Sequence, residues 1–161
     1  MPLMPNILIN ELSKFIDEKS GLFDKFPSSK EDAADKWANA FDTYAKGVIP
    51  LSSGMNQAAI SAFKGNFMSI KEDTDMKQLA QCFVLYAAPL ALGMTTALPT
   101  MTGFPPSASL NLAPVAKLGM NGGSSAQCIQ LLATTVDIWM RTGKAINNIP
   151  PAPPVTIPIW S

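Results

Sequence analysis

Ser28-Ser29-Lys30-Glu31-Asp32-Ala33-Ala34-Asp35-Lys36-Trp37-Ala38-Asn39-Ala40-Phe41-Asp42-Thr43-Tyr44-Ala45-Lys46-Gly47-Val48 is the stretch from which the fold class can be read. Ser28 and Glu31 have the spacing of a capping box, in which a hydroxyl accepts a free backbone amide and the glutamate side chain reaches back. Trp37, Phe41, Tyr44 and Val48 then recur at helical spacing, with Ala33 and Ala40 beside them. Gly47 and Pro50 close the element. Asp32, Asp35 and Asp42 fall on the opposite face, which predicts a solvated surface. Such a helix needs others to cover its apolar stripe.

Further helices are found on both sides of it. One is predicted from about Asn6, as N-cap, to Lys19, with Leu8, Leu12, Phe15 and Ile16 on one face and Gly21 as its stop. A third starts near Ser53, with Met55, Ala59, Ala62, Phe63, Phe67 and Ile70 on its buried side and Gly65 as a weak point. Asp73 or Thr74 caps a fourth, about Asp75 to Gly93. Leu79, Cys82, Phe83, Val84, Leu85, Tyr86 and Leu90 make it apolar almost all round, the pattern of a central helix. Pro89 is expected to kink it or end it early. Ser124 or Ser125 caps a fifth helix, with Ile129, Leu132, Val136 and either Trp139 or Met140 on its face and Gly143 at its end.

Two segments show no helical stripe. Residues 94–123 contain Pro99, Pro105, Pro106 and Pro114 and end in Gly119-Met120-Asn121-Gly122-Gly123, which predicts a long irregular loop of the kind used for binding. Residues 149–161 hold five prolines and favour an extended, polyproline-like arm. The predicted architecture is therefore all-α: a bundle of four to five helices over 1–148 with an extended proline-rich C-terminal arm over 149–161. Trp37, Phe41, Tyr44, Phe63, Phe67, Phe83, Leu132 and Val136 are its expected core.

Charge is distributed unevenly. The chain of 161 residues has 12 basic and 12 acidic side chains, so nothing in its balance suggests nucleic acid or an anionic membrane as partner. Yet beyond Lys77 the only charged residues are Lys117, Asp137, Arg141 and Lys144. A monomer needs mixed charges on its solvated surface. Either a membrane or other protein chains must cover the second half. Leu79 to Leu98 has the length of a bilayer span. Gln81, Pro89, Gly93, Thr95 and Thr96 interrupt it, and no Lys or Arg cluster flanks it to set an orientation. Burial against other protein subunits is the better reading, and a small membrane-associated helical protein using 79–98 is the alternative.

Searches for chemistry find little. There is no histidine, which removes imidazole nucleophile pairs, imidazole metal ligands and the usual base near neutral pH. Cys82 and Cys128 form no CxxC pair and make no zinc site; both read as buried free thiols in a reducing compartment. The amino terminus lacks a basic segment followed by an apolar run, so no secretory signal is expected. Thr142-Gly143-Lys144 resembles the end of a phosphate loop, but Asp137 stands where the first glycine belongs and Ala145 where a Ser or Thr belongs. Gly122-Gly123-Ser124-Ser125 reads as a turn plus N-cap rather than an anion cradle. No enzyme activity, cofactor or metal is expected.

The contact residues expected instead are Phe104, Pro105 and Pro106 in the loop and Ile157, Ile159 and Trp160 on the arm. Trp160 has two readings: an anchor on a neighbouring subunit, or a tail folded back over its own domain. A small, charge-balanced, histidine-free helical chain with a proline-rich arm ending in tryptophan resembles minor structural proteins of tailed bacteriophage particles. Trp37-Ala38-Asn39-Ala40-Phe41-Asp42-Thr43-Tyr44 and Thr102-Gly103-Phe104-Pro105-Pro106 carry that likeness. It implies a virion component of neck, tail, baseplate or capsid surface, assembled in the host cytoplasm, that forms homo-oligomers and binds other particle proteins.

Overall fold

The computed structural model describes residues 3–48, 56–71, 76–97, 101–147, 155–157 and 160. Among them are six helices: α1 (Pro5–Ile16), α2 (Lys30–Ala45), α3 (Asn56–Ser69), α4 (Met76–Ala97), α5 (Ala113–Met120) and α6 (Ser125–Met140). Three short strands join them, β1 (Met101–Phe104), β2 (Lys144–Asn147) and β3 (Val155–Ile157). The fold is an all-α bundle with a small antiparallel sheet of order β1-β2-β3 at its edge.

Helix α2 starts one residue later than the capping-box spacing predicts. Ser29, not Ser28, is the N-cap and accepts the Asp32 amide at 3.1 Å, while the Asp32 carboxylate accepts the Ser28 amide at 2.8 Å. Aspartate thus takes the reciprocal role assigned to Glu31. The buried face is also rotated. Ala34, Ala38, Phe41 and Ala45 lie along its centre, Tyr44 is buried beside them, and Trp37 is only half-buried at the margin against Phe15 and Phe67. Alanines let neighbouring helices come close, so they take the middle and the bulky indole is pushed to the edge.

Helix α1 is capped at Met4 rather than Asn6, has Pro5 in its first turn and ends at Ile16, where Asp17 accepts the Lys19 amide. The expected starts of the third and fourth helices, at Ser53, Asp73 or Thr74, lie outside the described residues. Phe63 and Ala59 are buried in α3, with Phe67 only half-buried. Phe41 lies at the centre of a ring cluster: Phe83 and Tyr86 meet it edge-on at 4.8 Å, with Tyr44 and Phe63 further out.

Pro89 does not end α4, which runs on to Ala97. Proline removes the amide that would bond the Leu85 carbonyl. Leu85 is on the outer side of the helix, where a carbonyl without an amide partner is open to hydration.

The loop expected over 94–123 is largely structured, because short elements carry too few residues to show a period. It contains the end of α4, strand β1 and helix α5. β1 is possible here because Gly103 lies directly against α4. A Cβ at that position would stand 2.3 Å from the Ala91 carbonyl oxygen. From there the chain runs back along α4: Pro106 to Leu110 line a groove with Val84, Gln81, Ala80 and Lys77, and Leu110 to Ala113 reach Met76. The Trp139 indole holds this segment from the other side by donating to the Ala108 carbonyl at 2.7 Å.

The arm is likewise part of the domain. β3 pairs with β2 in the register Ala145↔Ile157, Ile146↔Thr156 and Asn147↔Val155. Trp160 is fully buried, its amide bonds the Gly143 carbonyl at 2.9 Å and its indole N–H the Lys144 carbonyl at 3.2 Å. Gly143 is more than a helix stop, since a Cβ there would fall 2.3 Å from the Trp160 ring. Of the two readings of Trp160, the tail folded over its own domain is the one observed. An apolar ring finds a ready slot wherever glycine leaves one.

Candidate assembly surface and buried carboxylate network

Two carboxylates anchor the polar interior. Asp42 is only 4 % exposed, which corrects its expected place on a solvated face. Its oxygens accept from the Tyr86 hydroxyl of α4 at 2.6 Å and the Asn56 amide of α3 at 2.9 Å, and Lys46 pairs with it at 2.8 Å. Asp137 of α6 has the same design. It accepts from the Tyr44 hydroxyl of α2 at 2.7 Å and pairs with Arg141 at 2.8 Å, whose other nitrogen reaches the Leu3 carbonyl at 2.6 Å. Each aspartate has a cation one turn further on and a tyrosine from another helix. The two units tie α3 and α4 to α2, α2 to α6, and α6 to the amino-terminal segment.

The electrostatics fit a structural role. Burial pushes the Asp42 carboxyl up, but the bonds from Lys46, Tyr86 and Asn56 and the Lys46 charge outweigh it and hold it below the ordinary value. Burial, then the facing aspartates, drive both Tyr44 and Tyr86 hydroxyls far above their usual range, so they stay protonated donors. The Arg141 guanidinium is held charged by its bond to Asp137. Burial raises the Cys82 thiol, which makes it a poor nucleophile.

Because the folded Asp42 value lies below the unfolded one, its contribution is complete above about pH 4 and is lost as pH falls through the folded value. Asp42→Asn is expected to lower stability by about 1–2 kcal/mol at pH 7 and to flatten the acid limb, read by urea unfolding from pH 7 to 3. An acid limb identical in the two proteins would remove Asp42 from the account.

Among the described residues no group of three or more His, Cys, Asp or Glu side chains is placed to hold a metal ion. The cleft between α1 and α2 has a volume of about 230 Å³ and brings Lys14, Lys25 and Lys36 together with Glu11 and Asp24. Lys14 is already paired with Glu11 and Lys36 with Asp32, so the cleft mixes signs and presents no concentrated charge. The start of α6 is closed by a full capping box between Ser124 and Gln127, which uses the amides an anion would need. Gly122, at φ +83°, supplies the turn before it.

What remains is a surface. On α4, Gln81, Leu85, Ala88 and Leu92 are exposed and Thr95 half-exposed, a row at alternating spacings of four and three along the outer side. Leu85 is 36 % exposed and Leu92 54 %. Ala80, Val84 and Ala91 of the adjoining column meet the returning chain 103–110, and Gln81 at the start of the row lines the same groove. Gly103 donates its amide to the Thr95 hydroxyl at 3.4 Å, which brings the next residues, Phe104, 44 % exposed, and Pro105, beside the end of the outer row. No charged residue occurs between Lys77 and Lys117, so the α4 row carries no charge of its own, while Lys144 on β2 stands opposite Phe104 across the strand pair.

Of the six contact residues expected from sequence, Phe104 and Pro105 lie on this surface. Pro106 and Trp160 are buried in their own chain. The backbone of Ile157 belongs to β3 and Ile159 lies outside the described residues. Sequence reading missed the α4 row because it took the helix to be buried all round. The 4-3 repeat of Gln81, Leu85, Ala88, Leu92 and Thr95 was there to be seen. The stretch Met76–Thr95 is long and apolar enough to cross a membrane, and half of it is buried inside the chain itself. Compared with known protein families, curated proteins and solved structures, the chain matches none.

Proposed function

We propose that this protein is a non-catalytic structural subunit that binds other protein chains through the outer row of α4 and the Phe104-Pro105 segment. The observation that carries the proposal is the exposed apolar row itself: Leu85 and Leu92 on a long helix whose outer side carries no charge, with Phe104 exposed on the strand packed on it. Contiguous exposed apolar surface, rimmed by polar residues, marks an interaction site. The polar interior supports the same reading, since one oxygen of each buried aspartate and both tyrosine hydroxyls are engaged in holding helices together. The setting we propose is the virion of a tailed bacteriophage, from the resemblance in composition and the proline-rich end.

Sedimentation of the purified chain at micromolar concentration, with and without Phe104→Glu, tests this. The wild type is expected to sediment above monomer mass. The variant is expected to associate at least about tenfold more weakly with unchanged helix content. A wild-type monomer that fails to bind a hydrophobic dye would overturn the proposal.

A further inference from the structure

Asn121-Gly122 is the one place in the sequence where an asparagine precedes a glycine. The pair lies in the turn between α5 and α6. Asn121 is the C-cap of α5 and is exposed together with Gly122, next to Met120 at 80 % exposure. The turn is a Schellman motif: Gly122, at φ +83°, donates its amide to the Gly119 carbonyl at 3.2 Å, and Gly123 donates its own to the Leu118 carbonyl at 2.9 Å. The backbone at 122 selects glycine by its positive φ and not by crowding, since a Cβ there would meet nothing within 4 Å. The same missing side chain leaves the Gly122 nitrogen unshielded next to the Asn121 carboxamide, with open space around both. We propose that Asn121 is a site of spontaneous deamidation, and that opening of the turn at the end of α5 controls its rate.

The chemistry needs only water and hydroxide. The Gly122 amide gives its proton to hydroxide, and its nitrogen attacks Cγ of Asn121. The Cγ–Nδ2 bond breaks, ammonia leaves with a proton from water, and a five-membered succinimide closes. Water then opens the ring, with nothing oxidised or reduced. Breaking the nitrogen–Cγ bond gives aspartate. Breaking the bond from nitrogen to the backbone carbonyl carbon gives isoaspartate, whose chain runs through Cβ and Cγ. The folded turn opposes the first step in two ways. It holds the Gly122 N–H on the Gly119 carbonyl, and the Asn121 ψ of 15° turns the Gly122 nitrogen away from the side chain it must reach. The turn therefore has to open first, and helix ends are where local opening costs least. Either product then works against reclosure. Aspartate sets a negative charge at the negative end of the α5 dipole. Isoaspartate adds a backbone atom inside the ring that the Gly123–Leu118 bond closes. Each event is irreversible, so the α5–α6 turn loosens as the protein ages.

This inference is independent of the protein-binding reading above, and its test does not touch α4. The full chain is incubated for weeks at neutral and mildly alkaline pH, with and without urea, and digested with trypsin alongside a zero-time sample. The peptide Leu118–Arg141 contains no asparagine besides Asn121. Exchange of its amide NH2 for OH, read by mass, and the separation of two isomers by chromatography therefore report on this position alone. Both the aspartyl and the isoaspartyl peptide are expected to accumulate in the folded protein, faster at the higher pH, and on the order of tenfold or more faster still in urea, where the turn is open. Asn121→Gln is expected to abolish the conversion, because its longer side chain would have to close a six-membered ring. A peptide that stays unchanged in the folded protein overturns the proposed site. Equal rates with and without urea overturn the control by the turn. An aspartyl product with no isoaspartyl isomer overturns the succinimide route.

Discussion

Replacing Phe41 with alanine is expected to cost about 3–5 kcal/mol, the range for truncating a fully buried aromatic side chain. Phe41 is 0 % exposed and touches rings from three other helical positions of the core, Phe63, Phe83 and Tyr86, along with Tyr44 on its own helix. Edge-on pairs of this kind add to the area term, and all four lose their partner at once. The cavity would lie where α2, α3 and α4 meet, and the Tyr86–Asp42 bond holds α4 and α2 against collapse into it. Trp37→Ala, which the sequence places at the centre of the same stripe, is expected to cost less, about 1–3 kcal/mol, because its ring is only half-buried. Urea unfolding of the two variants side by side checks the order. A Trp37 loss equal to or larger than that of Phe41 would return the indole to the core.

That contrast shows how far the helical reading reached. Spacing located α2 and its caps to within a residue and identified Phe41, Tyr44, Phe63, Phe83, Leu132 and Val136 as buried. It misjudged the rotation of the face, because hydrophobicity scales weight tryptophan above alanine, whereas close helix packing prefers the smaller side chain. The same bias put Asp42 in solvent. A carboxylate one position after Phe41 and four before Lys46 has the sequence signature of a surface pair. Only the tyrosine arriving from α4 turns it into a buried group, and nothing local to α2 announces Tyr86.

Short elements were less legible still. Strand β1 exists because Gly103 meets the α4 backbone, a contact between residues far enough apart that no periodicity records it. Helix α5 spans only Ala113–Met120, too short for a stripe, with Asn111 accepting the Ala113 amide at its start. The scarcity of charge beyond Lys77 led to the expectation that other chains cover the second half, and of the residues expected to make contacts Phe104 and Pro105 are at the surface. Which side of α4 stays open depends on where α3 and the returning chain pack, and that is a property of the assembled bundle.

The carboxyl-terminal tryptophan gives the second large effect. Trp160→Ala is expected to lower stability by about 3–5 kcal/mol, since its side chain is 0 % exposed and fills the slot left by Gly143. Filling that slot from the other side should do similar damage. Gly143→Ala sets a methyl carbon 2.3 Å from the ring, against the rigid turn after α6, and either the ring or the turn must move. The two substitutions act on one contact, so their effects should be strongly non-additive in the double variant. Chemical denaturation followed by circular dichroism reads all three proteins, since Trp37 and Trp139 complicate fluorescence. The outcome separates two mechanical roles of the tail. If it closes its own domain, deleting residues 149–161 lowers stability at every protein concentration, and the loss is the same for monomer and assembly. If Trp160→Ala costs less than about 1 kcal/mol and instead weakens association, the ring belongs to a neighbouring copy and the cis packing is overturned. The hydrogen bonds from Trp160 to the Gly143 and Lys144 carbonyls favour the first result: the two acceptors directly follow the turn at Arg141, whose side chain reaches Leu3, so the tail closes the same corner that the Asp137 network holds from within.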